Sequence, residues 1–123
     1  NSDAIVAIDA RGFIFGSAIA VNIEKPIIFA RKPGKLPGNL ISHSYELEYG
    51  KNTLCLQKDV VEKYDNFCII DDLLATGGTV SSVEKMLTEY GKNIIGTAVV
   101  IELIFLNGKS NLKNPVESIL KYT

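Results

Sequence analysis

The sequence predicts an α/β fold, in which a largely parallel, twisted sheet is flanked by helices and carries a protruding antiparallel hairpin. Short, fully apolar runs alternate with segments whose apolar residues recur at helical spacing, which is typical of a parallel sheet covered on both faces. Residues 44–57 instead alternate polar and apolar side chains with period two, which is typical of a hairpin. A chain of 123 residues can bury one core, so we expect a single domain, 1–123.

The apolar runs predict buried strands at 4–8, 26–30, 67–70 and 94–101, with an edge strand at 118–122. After the first run, which Asp9 closes, Ile14, Ala18 and Val21 recur at helical spacing. After the third run, which we expect Asp71 and Asp72 to end, the apolar residues Val80, Val83, Leu87 and Tyr90 mark one helix face, and Gly91 is a suitable helix stop. Each of the two segments therefore predicts a helix.

Two connections carry further predictions. A loop rich in proline and glycine at 33–38 follows the second strand and is flanked or occupied by the cations Arg31, Lys32 and Lys35. The hairpin should run from 44–49 through a turn at 50–52 into 53–57. The single histidine, His43, begins this hairpin, and we expect it to have a surface role. The cations lie at a strand end, where ligands collect in parallel sheets, although a solvated basic loop is the simpler alternative.

Composition excludes several classes of protein. The chain is 46% hydrophobic and 22% charged with a net charge of −1, which is typical of a folded protein and gives no reason to expect nucleic acid as a partner. No apolar run approaches the ~20 residues that span a bilayer, so we expect no membrane partner. Cys55 and Cys68 lack metal-ligand or disulfide spacing, so we interpret them as reduced core residues of a cytoplasmic protein.

Residues 71–79 carry the clearest chemistry. Gly77 and Gly78 allow the backbone to approach a ligand closely, and the free N–H groups of a helix start can cradle a phosphate. No lysine follows the glycines, which argues against a nucleoside triphosphate loop. Asp71 and Asp72 can instead accept hydrogen bonds from the two hydroxyls of a ribose. The segment therefore predicts a ribose 5-phosphate site, and the simpler alternative is a solvated strand end with an ordinary turn.

The thirteen residues 67–79 resemble the phosphoribosyl pyrophosphate signature of the type I phosphoribosyltransferases. Residues 9–13, 31–38 and 44–50 are similar to the adenine branch of that family, and with 67–79 they cover nearly the whole chain in the family's order. The resemblance implies the type I core fold and the conversion of adenine and phosphoribosyl pyrophosphate to AMP and pyrophosphate. It also implies Mg²⁺ as cofactor, a cytoplasmic homodimer, and an N-terminal hood segment that this chain lacks.

The resemblance assigns roles to matching residues. The ribose and 5′-phosphate would be held by Asp71, Asp72, Ala75, Thr76, Gly77, Gly78 and Thr79. Pyrophosphate would be held by Asp9, Ala10, Arg11, Arg31, Lys32 and Lys35, with a cis peptide between Asp9 and Ala10. Glu48, Tyr49 and Arg11 would be catalytic, Glu48 by managing a proton on the purine. Leu103 would contact the base, and Mg²⁺ would be held mainly by substrate and water, without a direct protein ligand.

Several of these assignments have alternatives. Glu48 has the alternative of an exposed strand residue of the hairpin, and Leu103 could equally be an ordinary core residue. At the level of function, a transferase for another purine remains open, as does a regulator that senses phosphoribosyl pyrophosphate without catalysis. A regulator of that kind would need a nucleic-acid surface, and the sequence has no basic stripe that would provide one.

Overall fold

The computed structural model describes residues 2–47 and 50–123, and the side chains of all of these except 45–47, 50 and 51. The strands are β1 (Ala4–Ile8), β2 (Ile27–Ala30), β3 (Leu40–Leu47), β4 (Gly50–Gln57), β5 (Asn66–Leu74), β6 (Asn93–Leu103) and β7 (Val116–Tyr122). The helices are α1 (Arg11–Ile23), α2 (Lys58–Val61) and α3 (Gly78–Glu89), and two 3₁₀ turns, Ile104–Leu106 and Gly108–Asn111, lie between β6 and β7.

Five strands form a parallel sheet in the order β2-β1-β5-β6-β7, which confirms the predicted fold class. β7 is an edge strand, as predicted. Every strand of this sheet points the same way, so all the carboxyl ends meet at one edge. That edge receives the connections from β1 to α1, from β2 to β3 and from β5 to α3, which are the segments in which we predicted ligand contacts.

The sheet is buried on both faces because its strands send alternate side chains to opposite sides. On one face, Val6, Ile8 and Ile69 belong to a large core cluster that includes the buried side of α3. This side contains Val80, Val83 and Leu87 of the predicted helix face, whereas Tyr90, predicted to belong to it, lies just beyond the helix and is 40% exposed. On the other face, Ile5 and Ile70 pack with Ala20 of α1. This two-sided burial explains why the strands read as continuous apolar runs.

The α1 helix is present as predicted, but it does not pack through the residues whose spacing predicted it. Ile14 is 70% exposed and Val21 is 79% exposed, whereas Gly12, Gly16 and Ala20 are buried. A Cβ atom on Gly16 would lie 2.6 Å from the Cβ of Ala7, so the helix lies too close to β1 for larger side chains. Small residues four apart therefore define the packed face of α1.

The predicted hairpin exists as a separate antiparallel pair, with β3 and β4 in register from Leu40 opposite Gln57 to Leu47 opposite Gly50. The prediction of a turn at 50–52 was wrong, because β4 begins at Gly50 and its pairing with β3 includes these residues. The base of the hairpin belongs to the core, since Leu54 and Leu56 are buried in the cluster that contains α3. The hairpin is therefore anchored on the sheet domain rather than projecting freely.

His43 is one of the residues that join the hairpin to α3. Its side chain is half-buried, and its Nδ1 lies 3.4 Å from Oγ of Ser82, a buried residue of α3. The Ser82 hydroxyl also donates to the His43 carbonyl oxygen at 3.3 Å. The expected surface role of His43 was therefore wrong, because the register of β3 turns its side chain toward the helix.

Two strands continue beyond their predicted ends. β5 runs through both aspartates to Leu74, and β6 runs to Leu103, because the two strands remain paired as far as Leu74 opposite Glu102. Asp71 and Asp72 thus lie within a strand rather than after it. Cys55 is buried and Cys68 is half-buried, and both are free thiols. Among the described helices, none is long and apolar enough to cross a bilayer.

Candidate active site

A cavity of about 410 Å³ lies at the carboxyl edge of the sheet. Its lining consists of residues 71–80 together with Asp9, Ala10, Arg11, Lys32, Asn52 and Leu54. The sequence had placed the end of the first strand, the cationic loop and residues 71–79 at one edge of the sheet. The structure brings the first and third of these segments together around one space, which Lys32 of the second segment also lines.

One wall of the cavity is the phosphate loop, which we define as residues 75–79, the turn that follows β5 and the first two residues of α3. Gly77 has a φ of 89°, in the left-handed region that favours glycine, whereas Gly78 already belongs to α3. Of these two glycines, only Gly77 therefore adopts a positive φ. The N-cap residue of α3, Gly77, supplies no side-chain cap. A helix start can bind an anion through its backbone N–H groups.

The two aspartates of β5 have different environments. Asp71 is 8% exposed, and its Oδ1 accepts a hydrogen bond of 2.8 Å from the Asp72 N–H. Burial raises the pKa of Asp71 to about 7, and the neighbouring Asp72 carboxyl adds to this effect. Asp72 is more open, and its Oδ2 lies 2.7 Å from Nε of Arg11. Asp71 therefore lies below the cavity surface, and Asp72 is engaged in an ion pair at that surface.

Gly12 provides the space in which Asp71 lies. A Cβ atom on Gly12 would be 3.1 Å from Asp71 Oδ1 and 3.1 Å from the Ile70 carbonyl oxygen. The first turn of α1 consequently packs directly on the strand that carries the acids. This contact fixes the position of Arg11, one residue earlier, relative to Asp72.

The predicted pyrophosphate ligands are only partly assembled around the cavity. Arg11, Lys32 and the cis peptide between Asp9 and Ala10 line it, and the cis peptide confirms what the family resemblance implied. Arg31 and Lys35 lie outside the lining of the cavity. Lys35 belongs to the exposed loop that follows β2.

Arg31 is held among side chains rather than directed into the cavity. Its Nε lies 3.5 Å from Asp9 Oδ2 but is buried without a hydrogen bond, so the pair is a charge contact of poor geometry. The guanidinium carbon also lies 5.7 Å from the centre of the Phe13 ring, which packs edge-on against Phe29. Arg31 thus supports Asp9, a residue of the cavity wall, from behind.

The remaining predicted residues are not at the cavity wall. Leu103 is the last residue of β6, half-buried beside β7, and it lies outside the cavity lining. Glu48 and Tyr49 lie outside the described residues. In the part of the chain that the structure describes, no cluster of three or more His, Cys, Asp or Glu side chains could hold a metal ion.

Sequence reasoning missed several residues of the site. Asn52 and Leu54 line the cavity from β4, and the wrongly placed turn concealed Asn52. Gly108 and Asn111 contact the outer side of the phosphate loop from the connection between β6 and β7. No spacing pattern marks this connection in the sequence, so only the tertiary structure could identify it.

The carboxyl edge of this parallel sheet carries acids, a phosphate loop and a helix start. This arrangement is typical of enzymes that bind nucleotides or sugar phosphates. The phosphoribosyl transferase domain model matches residues 1–119, and the chain belongs to that family. Among curated proteins, an adenine phosphoribosyltransferase of Prochlorococcus marinus (strain MIT 9211) is 63% identical over 118 residues, which are 96% of this chain and 69% of the relative. A protein of the same name from Mycoplasmopsis synoviae is 48% identical over 99% of this chain and 73% of its own length.

Solved structures agree with these relatives. The adenine phosphoribosyltransferase of Thermoanaerobacter pseudethanolicus is 39% identical, with a TM-score of 0.93 over 99% of this chain and 72% of that protein. The Saccharomyces cerevisiae enzyme, solved with an imino-altritol bisphosphate and adenine, is 34% identical with a TM-score of 0.90 over 98% and 68% of the two chains. The resemblance seen in the sequence is thereby confirmed.

Proposed function

We propose that this chain transfers the 5-phosphoribosyl group from phosphoribosyl pyrophosphate to adenine, giving AMP and pyrophosphate. The observation that carries the proposal is the cavity itself, where a phosphate loop and two aspartates face the cations Arg11 and Lys32. The choice of adenine is supported by the name of the Prochlorococcus relative, at 63% identity. A Trypanosoma brucei neighbour, 26% identical, was solved with AMP and pyrophosphate, the two products of this reaction, and with ribose 5-phosphate, the sugar-phosphate part of AMP.

The phosphate loop would hold the 5′-phosphate through backbone N–H groups and the hydroxyls of Thr76 and Thr79. A helix N-terminus stabilises an anion because its amides carry partial positive charge and lack partners within the helix. Asp72, and Asp71 when ionised, would accept hydrogen bonds from the ribose hydroxyls. Together these groups fix the sugar so that its anomeric carbon faces the opposite side of the cavity.

On that opposite side, Arg11 and Lys32 would bind the pyrophosphate with the backbone of Asp9 and Ala10. Departure of pyrophosphate leaves positive charge on the sugar ring and builds negative charge on the leaving group. Fixed cations stabilise that growing charge more than they stabilise the ground state. Arg31 would act by orienting Asp9, and Lys35 would add positive charge from the neighbouring loop.

Magnesium would accompany the pyrophosphate rather than occupy a protein cage. The carboxylates nearest the cations, Asp9 and Asp72, are both engaged with arginines. Mg²⁺ is strongly hydrated and commonly binds through substrate phosphates and water, so these residues suit an ion that arrives with the substrate. When bound, the ion would neutralise part of the pyrophosphate charge.

Glu48 and Tyr49 are proposed to close over the sugar and limit access of water during transfer. In sequence, these two residues connect Leu47 of β3 to Gly50 of β4, the last pair of the described hairpin. Glu48 would manage the proton of the purine, and Leu103 would contact the ring. We expect Glu48→Ala to lower kcat at least about tenfold while the KM for phosphoribosyl pyrophosphate changes little.

We also propose that the protein is a cytoplasmic homodimer. Free thiols at Cys55 and Cys68 suit a reducing compartment. Exposed apolar side chains on α1 and β7, including Ile14, Val21 and Ile119, provide surface that a second copy could cover. Light scattering coupled to size exclusion would test this, and a monomer at all concentrations would contradict it.

The function is tested by product formation with four bases: adenine, guanine, hypoxanthine and xanthine. Adenine should give AMP with a specificity constant well above those of the oxopurines. A preference for an oxopurine would replace adenine as the substrate and leave the transferase class intact. Tight binding of phosphoribosyl pyrophosphate without turnover of any base would instead support a regulator.

A further inference from the structure

The outer side of the phosphate loop is in contact with residues 107–111, which we call the bracing segment. Asn111 donates a hydrogen bond of 2.6 Å from its Nδ2 to the carbonyl oxygen of Thr76, 35 residues away in sequence. This side chain lies outside the cavity lining, so the Thr76 carbonyl points away from the proposed ligand. The bond therefore holds the phosphate loop on the side that faces away from the cavity.

Gly108 packs against the peptide unit between Thr76 and Gly77. A Cβ atom on Gly108 would lie 3.0 Å from both the Thr76 carbonyl carbon and the Gly77 nitrogen, so Gly108 covers the flat face of the Thr76–Gly77 peptide. In return, a Cβ atom on Gly77 would lie 2.6 Å from the Gly108 carbonyl oxygen. Two glycine backbones thus meet directly, with no space for a side chain between them.

Because the Thr76–Gly77 peptide is trans, these contacts also restrict the direction of the Gly77 N–H. In a planar trans peptide, the carbonyl and the following N–H point in opposite directions. The Thr76–Gly77 bond is not among the cis peptides of the described chain. Because Asn111 fixes the carbonyl of this unit and Gly108 covers its face, the Gly77 N–H is directed away from the bracing segment.

The bracing segment is itself rigid enough to serve this purpose. Asn107 adopts a left-handed conformation with a φ of 50°, and its carbonyl oxygen accepts a hydrogen bond of 2.7 Å from the Ser110 hydroxyl. The Asn107 N–H also donates to the Ile104 carbonyl oxygen at 2.8 Å. These bonds close the turn that carries both Gly108 and Asn111.

We propose that Asn111 is a positioning residue for sugar-phosphate binding, which orients the Gly77 amide toward the 5′-phosphate through its hydrogen bond to the Thr76 carbonyl. The inference rests on the proposed function only in requiring a ribose phosphate at this loop. It does not depend on which base receives the sugar. Asn111 would act entirely through the phosphate loop, without touching substrate.

The test measures ribose 5-phosphate and pyrophosphate binding by calorimetry, and steady-state kinetics with both substrates, for Asn111→Ala in the full chain. We expect the Kd for ribose 5-phosphate and the KM for phosphoribosyl pyrophosphate to rise about five- to tenfold, the effect of one lost hydrogen bond. The Kd for pyrophosphate alone and the KM for adenine should remain within about twofold, because those ligands bind elsewhere.

Asn114→Ala is the matched control. Its side chain lies three residues further along the same connection and donates at 3.0 Å to Oε2 of Glu84, a residue of α3 beyond the phosphate loop. Asn111→Asp keeps the shape of the side chain but places an acceptor against the Thr76 carbonyl, so it should lose at least as much affinity as Asn111→Ala.

Two results would overturn the proposal. One is an unchanged Kd for ribose 5-phosphate in Asn111→Ala. The other is an equal loss of all four constants in Asn111→Ala and Asn114→Ala, which would indicate general loosening of the connection. Failure of the proposed function is separable, because a parent chain that binds ribose 5-phosphate but prefers another base would leave the Asn111 result interpretable.

Should Asn111→Ala fold poorly, Gly108→Ala provides an independent variant. Its new methyl group would contact backbone atoms of Ala75 and Gly77, so the phosphate loop would have to move. The same pattern of weaker ribose 5-phosphate binding with unchanged pyrophosphate binding is expected. Lys109→Ala, on the exposed side of the same turn, is its control, and equal effects of the two variants would contradict the proposal.

Discussion

The two sides of the cavity are built differently. The phosphate loop presents backbone groups whose positions are fixed by β5, by α3 and by contact with Gly108 and Asn111. The opposite side presents the charged side chains of Arg11 and Lys32, and Arg11 already contacts a carboxylate of the same chain, Asp72. One side is ready for an anion, whereas the other must exchange the ion pair of Arg11 with Asp72 for one.

This difference has a consequence for binding. A preorganised backbone site loses little conformational entropy when phosphate arrives, so its affinity depends on geometry. An exposed ion pair such as Arg11 with Asp72, whose arginine side chain is 74% exposed, contributes little to stability and is readily exchanged. Binding at the cationic side should accordingly depend on salt, and binding at the phosphate loop should depend on backbone positions.

The largest effect should come from replacing both aspartates, which connect the two sides. Asp71→Asn with Asp72→Asn removes the charged acceptors for the ribose hydroxyls, so sugar-phosphate binding should fall more than about 100-fold, consistent with two lost charge-assisted hydrogen bonds. Calorimetry with ribose 5-phosphate measures the loss. Asp59→Asn with Asp65→Asn makes the same charge change at exposed positions and should leave affinity intact. Undiminished binding by the first pair would disprove the roles assigned to Asp71 and Asp72.

A smaller effect, on the Kd for pyrophosphate, should distinguish Arg11 from Lys35. Arg11→Gln should raise the Kd for pyrophosphate about tenfold or more, because a charge-assisted hydrogen bond is lost, whereas ribose 5-phosphate binding should change less. Lys35→Gln should raise the Kd for pyrophosphate less than about threefold, since Lys35 lies outside the cavity lining. Lys63→Gln is an exposed control. If Lys35→Gln were as damaging as Arg11→Gln, the loop that carries Lys35 must move onto the ligand.

A separate effect concerns stability rather than binding. Burial raises the pKa of Asp71 from 3.8 to about 7, so within this window the folded chain retains a proton that the unfolded chain loses. The contribution of Asp71 to the free energy of unfolding is therefore complete below the unfolded pKa and decreases as pH rises to the folded pKa. Asp71→Asn should be more stable than the parent by up to about 4 kcal/mol at about pH 8, since each pKa unit corresponds to about 1.4 kcal/mol, and nearly equal to it at about pH 4.

Urea unfolding at several pH values between these limits tests that prediction, with Asp65→Asn as the exposed control. A difference between parent and Asp71→Asn that stays constant with pH would show that the Asp71 carboxyl titrates normally. The result also bears on the double variant, because a more stable Asp71→Asn chain would exclude unfolding as the reason for lost binding.

The sequence by itself determined the sheet, both helices with defined periodicity, and the phosphate loop. Each of these depends on local patterns: apolar runs for buried strands, apolar residues at helical spacing, and glycines before a helix start. Gly77 illustrates the point, because its left-handed φ is a property of a single residue in a turn. The cis peptide between Asp9 and Ala10 was predicted only from the family resemblance, because no local pattern in the sequence indicates it.

Tertiary structure alone decided which face of α1 is buried, where Arg31 lies, and that Asn111 holds the phosphate loop. The apolar residues Ile14 and Val21 predicted the helix correctly but are exposed, because the close approach of Gly16 to Ala7 sets the packing. Asn111 and Thr76 are 35 residues apart, and no periodicity relates them. Local patterns fix backbone conformation, whereas contacts between distant segments depend on how close two backbones come once the whole core has formed.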